Sequence, residues 1–188
     1  MRATGVVRRI DDLGRIVIPK EIRKTLRIKE GSPLEIFTEK DGDIILKKYS
    51  PINELSNFGE EYVESLAATT GFISIITDRD SVIAVAGTTK KEWLELRITD
   101  QIEKIITDRK EYIGFGEIEE NKTMKASIKI VEDKEERKLT PQIIVPIISD
   151  SDTVGSVILI SKDNTQISKV EEVVTKTAAL FLGKQMEI

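Results

Sequence analysis

The chain has 188 residues, of which 33% are charged and 39% hydrophobic, as in a soluble globular protein. Its formal charge is −4 and it holds neither Cys nor His, which excludes disulfides, thiolate metal sites and a Cys nucleophile and removes the commonest metal ligand and the usual general base near neutral pH. No apolar run approaches the ~20 residues of a membrane span, and Met1-Arg2-Ala3-Thr4-Gly5 leads into polar, alternating sequence unlike a signal peptide, so the expected compartment is the cytoplasm.

Residues 1–29 contain nine basic side chains against three acids, a surplus of six, while the remaining 159 residues carry −10. Such asymmetry suggests that one end meets a polyanion; a solvated cluster of Arg and Lys would look the same by charge alone. Val6 to Ile10 alternates apolar and basic residues and reads as a strand. Asp11-Asp12-Leu13-Gly14 is a turn, and Arg15 to Ile18 a second, β-branched strand. Pro19 suits the first position of a helix that runs to about Ile28, with Gly31 as its C-terminal cap. Strands Pro33 to Thr38 and Ile44 to Lys48 follow, joined by a hairpin turn at Asp41-Gly42. A unit of about fifty residues buries too little apolar surface to be comfortable alone. With no Cys or metal to staple it, an obligate dimer with interleaved strands is expected.

Ser50-Pro51 reads as a helix start. Ile52, Leu55, Tyr62 and Leu66 recur at roughly heptad spacing, interrupted by Gly59, and residues 51–70 are expected to form a connecting helix. From residue 71 to 188 the pattern is that of a second domain. Phe72 to Thr77 and Val82 to Ala86 read as apolar strands, Glu92 to Thr107 as a helix, and Met124 to Val131 as a strand. Ile143 to Ile148 and Val154 to Ser161 read as a hairpin across Ser149-Asp150-Ser151-Asp152. Ser168-Lys169-Val170-Glu171 is a capping-box signature for a closing helix with Val170, Val174, Thr177 and Phe181 on one face. Lys134 to Lys138 reads as a solvated loop. The expected class is α+β.

The first fifty residues resemble the AbrB-type swapped-hairpin DNA-binding domain of bacterial transition-state regulators. The stretch from Thr4 to Leu26 carries the resemblance, above all Leu13-Gly14-Arg15-Ile16-Val17-Ile18-Pro19, and Leu34-Glu35-Ile36-Phe37 and Ile44 to Tyr49 also fit. It extends over the whole chain to sporulation regulators of the family, whose tail is matched by Ile160-Ser161-Lys162-Asp163 and by Ala178 to Glu187. The resemblance implies a β-barrel dimer of swapped hairpins, a C-terminal GAF-like sensor domain, a tetramer, and control of forespore genes, as activator and repressor, during endospore formation.

By matching position, the resemblance assigns double-stranded DNA contact to Arg8, Arg9, Arg15, Arg23 and Lys24. Position 20 varies in the motif, and Arg27 reads equally as a solvated charge. Arg and Lys neutralise phosphates with release of counterions, and Arg also grips a guanine edge in the major groove. Asp11 and Asp12 read as turn-shapers or partners of nearby Arg. The C-terminal part offers no catalytic constellation: Asp78 and Asp80 read as turn residues, and Gly114-Phe115-Gly116 is too weak for a phosphate loop. Phe72, Ile75 and Trp93 could line a small-molecule pocket, although ordinary core is the favoured reading. Without His or Cys, haem ligation by His and thioether attachment of a bilin are excluded, and no cofactor is expected. An antitoxin is the alternative function, since toxin–antitoxin pairs use related domains, but some 120 residues of foldable sequence follow where a short toxin-binding tail is usual. An enzyme built on the second domain is the third.

Overall fold

The computed structural model describes residues 5–49, 56–117, 124–133 and 137–187. The predicted cap at Ser50-Pro51, the stripe positions Ile52 and Leu55, and most of the Lys134 to Lys138 loop lie outside them. The chain divides into two compact units, Met1–Tyr49 and Ser50–Ile188.

In the first unit Asp11 starts a tight turn: the Gly14 N–H donates to the Asp11 carbonyl at 3.0 Å and the Asp11 N–H to the Arg15 carbonyl at 3.1 Å. Gly14 sits at φ +75°, the region only glycine enters cheaply. The expected strands on either side, Val6 to Ile10 and Arg15 to Ile18, are not part of any regular strand within one chain. Helix α1 spans Lys20–Thr25 with Pro19 at its N-cap rather than at its first helical position. It ends earlier than the sequence suggests. Arg27 takes the left-handed conformation at φ +50°, and the Ile28 N–H closes back on the Arg23 carbonyl at 2.8 Å. That satisfies an orphan carbonyl of the last turn, so Arg27, not Gly31, holds the terminating position. Strands β1 (Leu34–Thr38) and β2 (Ile44–Lys48) pair antiparallel, from Leu34 opposite Lys48 to Thr38 opposite Ile44. None of residues 5–49 is buried; Val7, Ile10, Leu13, Val17 and Ile36 are each more than 60% exposed.

The second unit is built on a five-stranded antiparallel sheet. Its strands are β3 (Ile73–Thr77), β4 (Val82–Ala86), β5 (Tyr112–Phe115), β6 (Pro141–Ser149) and β7 (Asp152–Ile160), in the order β4-β3-β7-β6-β5. Helices α2 (Ser56–Thr70) and α4 (Lys169–Gln185) cover one face, and α3 (Asp100–Asp108) the other. Strand alternation sorts the core in two. Ile76, Ile143, Val145, Ile147, Val157 and Leu159 join Val63 and Leu66 of α2 and Ala178, Ala179 and Leu182 of α4. Ile75, Ile144, Ile158 and Ile160 join Trp93 and Ile98, with Ile102 and Ile106 of α3. The period of two makes this sorting unavoidable once both faces are covered.

The β6–β7 hairpin turns at Asp150 and Ser151, both at positive φ, as a type I′ connection requires. The helix read from Glu92 begins only at Asp100, with the Thr99 hydroxyl as N-cap acceptor for the Ile102 N–H. The preceding residues are drawn into sheet-like bonds: Val82 N–H to the Leu96 carbonyl at 3.0 Å and Ile98 N–H to the Asp80 carbonyl at 2.9 Å. Met124 to Val131 makes single bonds to its neighbours and one bridge, Val131 to Ile98, rather than a strand. Gly114-Phe115 lies in β5, which the sequence reading did not identify. The capping box forms: the Ser168 hydroxyl accepts from the Val170 N–H at 3.1 Å, and the Glu171 carboxylate from the Ser168 N–H at 2.9 Å.

Helix α4 seats a row of small residues, Thr175, Ala179 and Gly183, against the sheet with Ala178 and Leu182. Val170, Val173, Leu180 and Phe181 face outward and are exposed. Phe181 meets Phe58 and Tyr62 of α2 with ring centroids 5.8 Å away in each case.

Candidate nucleic-acid interface and a second-unit cavity

The basic residues singled out from the sequence stand on two elements. Arg8, Arg9 and Arg15 flank the Asp11–Gly14 turn, and all three are exposed. Asp11 organises this tip. Its Oδ1 accepts from the Leu13 N–H at 3.0 Å and from the Arg15 N–H at 2.8 Å, and its Oδ2 accepts from Arg15 Nε at 2.9 Å. Hydrogen bonds from the Arg15 backbone, then from its side chain, hold the Asp11 carboxyl below the usual carboxylate range. The Arg15 side chain nonetheless remains 70% exposed, so one edge of the guanidinium is anchored while the rest faces solvent. Arg8 Nη1 donates to the Val7 carbonyl at 3.1 Å.

Arg23 and Lys24 lie in the last turn of α1. Lys24 is exposed, whereas Arg23 is half-buried and its Nε is shielded with no acceptor among the described residues. The geometry is that of a donor-rich edge: cations on a turn tip and on a helix outnumber Asp11, Asp12 and Glu21, and Asp11 is spent on orienting Arg15. Such an edge suits phosphate oxygens and base acceptors.

Of the three proposed pocket residues, only Trp93 lines the cavity found in the second unit. Ile75 is buried beside Trp93 in the α3-side core, and Phe72 packs on the opposite face with Val63 and Leu66. The cavity holds about 400 Å³ and is walled by Ile73, Ile128, Ile130, Leu139 and Ile160, with Lys129, Arg137, Lys138 and Lys162 also lining it. The sequence places Arg137 and Lys138 in a solvated loop and marks neither Lys129 nor Lys162 as a cavity residue. Arg137 lies over the Trp93 ring at 4.3 Å and pairs with Asp133 at 2.8 Å; no spacing in the sequence signals that contact. No group of His, Cys, Asp or Glu among the described residues could hold a metal ion.

Residues 54–187 match the family model for the stage V sporulation protein T C-terminal domain, transcription factor. The whole chain is 45% identical to stage V sporulation protein T of Bacillus subtilis (strain 168), over 187 residues that span 99% of that protein. The chain belongs to the stage V sporulation protein T family. It is thus a sporulation transcription regulator with an AbrB-like DNA-binding domain. Residues 7–54 match the model for MazE, bacterial antitoxin, described as antidote-toxin recognition. Over 51 residues the chain is 57% identical to the transition state regulatory protein AbrB of Bacillus subtilis (strain 168), covering 27% of this chain and 52% of that one.

The second unit has the GAF-like fold. It superposes on the GAF domain of an Acinetobacter phosphoenolpyruvate-protein phosphotransferase with a TM-score of 0.56 at 13% identity, covering 70% of this chain and 81% of that one. A type II free methionine-R-sulfoxide reductase from Thermoplasma acidophilum also shares it, with a TM-score of 0.50 at 10% identity, covering 72% and 94%. The fold by itself therefore does not separate sensors from enzymes. No helix among the described residues is long and apolar enough to cross a membrane.

Proposed function

We propose that this family member is a cytoplasmic, homo-oligomeric regulator of forespore genes that activates some promoters and represses others. Residues 1–50 bind double-stranded DNA, residues 51–70 connect, and residues 71–188 regulate and assemble the oligomer. Arg8, Arg9, Arg15, Arg23 and Lys24 carry the DNA contact. The observation that weighs most is the first unit's lack of any buried residue among 5–49. A sequence with Val6, Val7, Ile10, Ile16, Val17 and Leu26 exposed needs a second copy to supply its core. The segments 6–10 and 15–18, which form no regular strand within one chain, are the natural strands to interleave. Two copies then present two sets of basic residues to one duplex.

The outward apolar face of α4 supports a further pairing into a dimer of dimers, which links two DNA heads and adds avidity. The cavity in the second unit supports a sensing role, since its described lining residues include no Asp, Glu, His or Cys. An antitoxin role is favoured only by the MazE-type match of residues 7–54; the folded domain that follows favours the regulator. Footprinting the full chain on genomic fragments, with its mass measured by light scattering, tests the proposal. Discrete protected sites and a mass above the dimer are expected. A folded monomer, or protection with no preferred sites, would overturn it.

A further inference from the structure

The cavity differs from the rest of this acidic unit in its charge. Its described lining residues include four cations, Lys129, Arg137, Lys138 and Lys162, and neither Asp nor Glu. Two of those cations share one partner: Asp133 pairs with Lys129 at 2.9 Å and with Arg137 at 2.8 Å. That leaves the positive charge of the wall centred on Lys138 and Lys162. Lys162 is drawn into the lip, because a Cβ built on Gly87, another lining residue, would stand only 3.3 Å from its ammonium Nζ.

Much of the remaining wall is apolar, alongside Thr88, Thr140, Gln142 and Ser161. Ile73, Ile128, Ile130, Leu139 and Ile160 are apolar, and they cannot solvate a charged group. Trp93, which also lines the cavity, is only 5% exposed, and its indole Nε1–H is buried with no acceptor among the described residues. An indole N–H can only donate, and a buried one ordinarily has a partner. An occupant that matches this wall brings a negative head and an apolar body together. About 400 Å³ lies within the range of small-molecule sites.

From these features we infer that the second unit binds a small organic monoanion, a carboxylate with a branched or aromatic apolar body. The inference rests on the sensing role proposed above and names its ligand class. The body fills the isoleucine-walled space, and the carboxylate sits at the mouth between Lys138 and Lys162. Point-charge ammonium donors suit a carboxylate. A phosphate ester, which lysines also bind, ordinarily adds a guanidinium fork or a cluster of backbone N–H groups at a helix N-terminus, and Arg137, the one guanidinium among the described lining residues, is already engaged by Asp133 and the Glu92 carbonyl.

Trp93 is the only tryptophan of the chain, so its fluorescence reports on the cavity directly. Full-length protein is titrated with 4-methylpentanoate, its neutral amide 4-methylpentanamide, and phenyl phosphate, each at low and high salt. The carboxylate should shift the emission saturably and bind at least about fivefold tighter than the amide, the scale of one or two exposed ion pairs. Salt should erode that margin. Replacing both lysines, Lys138→Gln with Lys162→Gln, should bring the two affinities together while circular dichroism and the melting temperature stay unchanged. Equal binding of carboxylate and amide would overturn the anion inference and leave the sensing role standing. Tighter binding of phenyl phosphate would overturn the carboxylate assignment. No response to any probe would sink both the inference and the sensing role.

Discussion

Two glycines sit inside helices of the second unit, and the same substitution at each should act with opposite sign. In both, Gly→Ala gains helix propensity of about 1 kcal/mol. At Gly59 of α2 a Cβ would meet Ala84 Cβ and Ile76 Cδ1, each at 3.9 Å. That is ordinary van der Waals contact, so Gly59→Ala should stabilise by roughly 0.5–1 kcal/mol. At Gly183 of α4 a Cβ would stand 2.1 Å from the Ile148 carbonyl oxygen and 3.1 Å from its carbon. The obstacle is backbone of a central strand, so the helix must retreat, by about 1 Å to restore normal spacing. Such a retreat forfeits roughly a quarter to a half of the dispersion at each opened contact, and those contacts include Ala178, Ala179 and Leu182. Overpacking of this kind costs about 1–3 kcal/mol or more, which outweighs the propensity gain. Urea denaturation of the full chain, followed at 222 nm with the slope checked for constancy, should raise the midpoint for Gly59→Ala and lower it for Gly183→Ala. Midpoints that move in the same direction would refute the claim that close approach, rather than propensity, fixes glycine at position 183.

Arg15→Ala should leave thermal unfolding nearly unchanged, since its side chain is exposed and its pair with Asp11 is screened by water. DNA affinity by fluorescence anisotropy should fall at least about tenfold on cognate sites, the worth of a lost base contact; unchanged binding would place the wrong edge of the turn against DNA. Ser168→Ala should remove the α4 cap, at a cost of about 1 kcal/mol. The Ser168 side-chain and backbone hydrogen bonds hold Glu171 below the usual carboxylate range, so its contribution is present above that ordinary value and is lost as pH falls through the lowered one. The acid limb of the stability curve, measured by melting from pH 7 to pH 3, should therefore be shallower in Ser168→Ala than in the parent. Leu180→Glu with Phe181→Glu places two charges on the exposed face of α4. Light scattering should then return a dimer in place of the larger parent, and an unchanged mass would remove that face from the assembly.

What was legible in the sequence was whatever a single segment states about itself. The β6–β7 hairpin is two β-branched runs broken by four polar residues, and the Ser168–Glu171 cap is a local pair; both form where the sequence placed them. Elements that depend on a distant neighbour were harder to read. Leu94 and Ile98 continue the helical period of Ile102 and Ile105, yet Ile98 is held by Asp80 and Val131 in a bridge instead. Strand β5 is four residues long with a glycine inside, too short for periodicity to register. On α4 the large apolar residues announce one face, while the face that meets the sheet is written in Thr175, Ala179 and Gly183, which carry little hydrophobic signal. The basic residues of the first unit could be picked out because a motif fixes their positions. The cavity cations could not, since Lys129, Lys138 and Lys162 come from three separate segments that only the folded sheet assembles.

The hairpin of β6 and β7 also acts as a beam with two fittings. At one end Gln142, Ile160 and Ser161 form part of the cavity wall. At the other, beside the Asp150–Ser151 turn, the Ile148 carbonyl is the seat on which α4 rests at Gly183. Strands of nine residues reach roughly 30 Å, and their paired backbones resist stretching and shear. A body lodged in the cavity and the helix that displays Leu180 and Phe181 thus press on opposite ends of one stiff member. The bracing of the cavity end and the seating of α4 therefore depend on the same pair of strands.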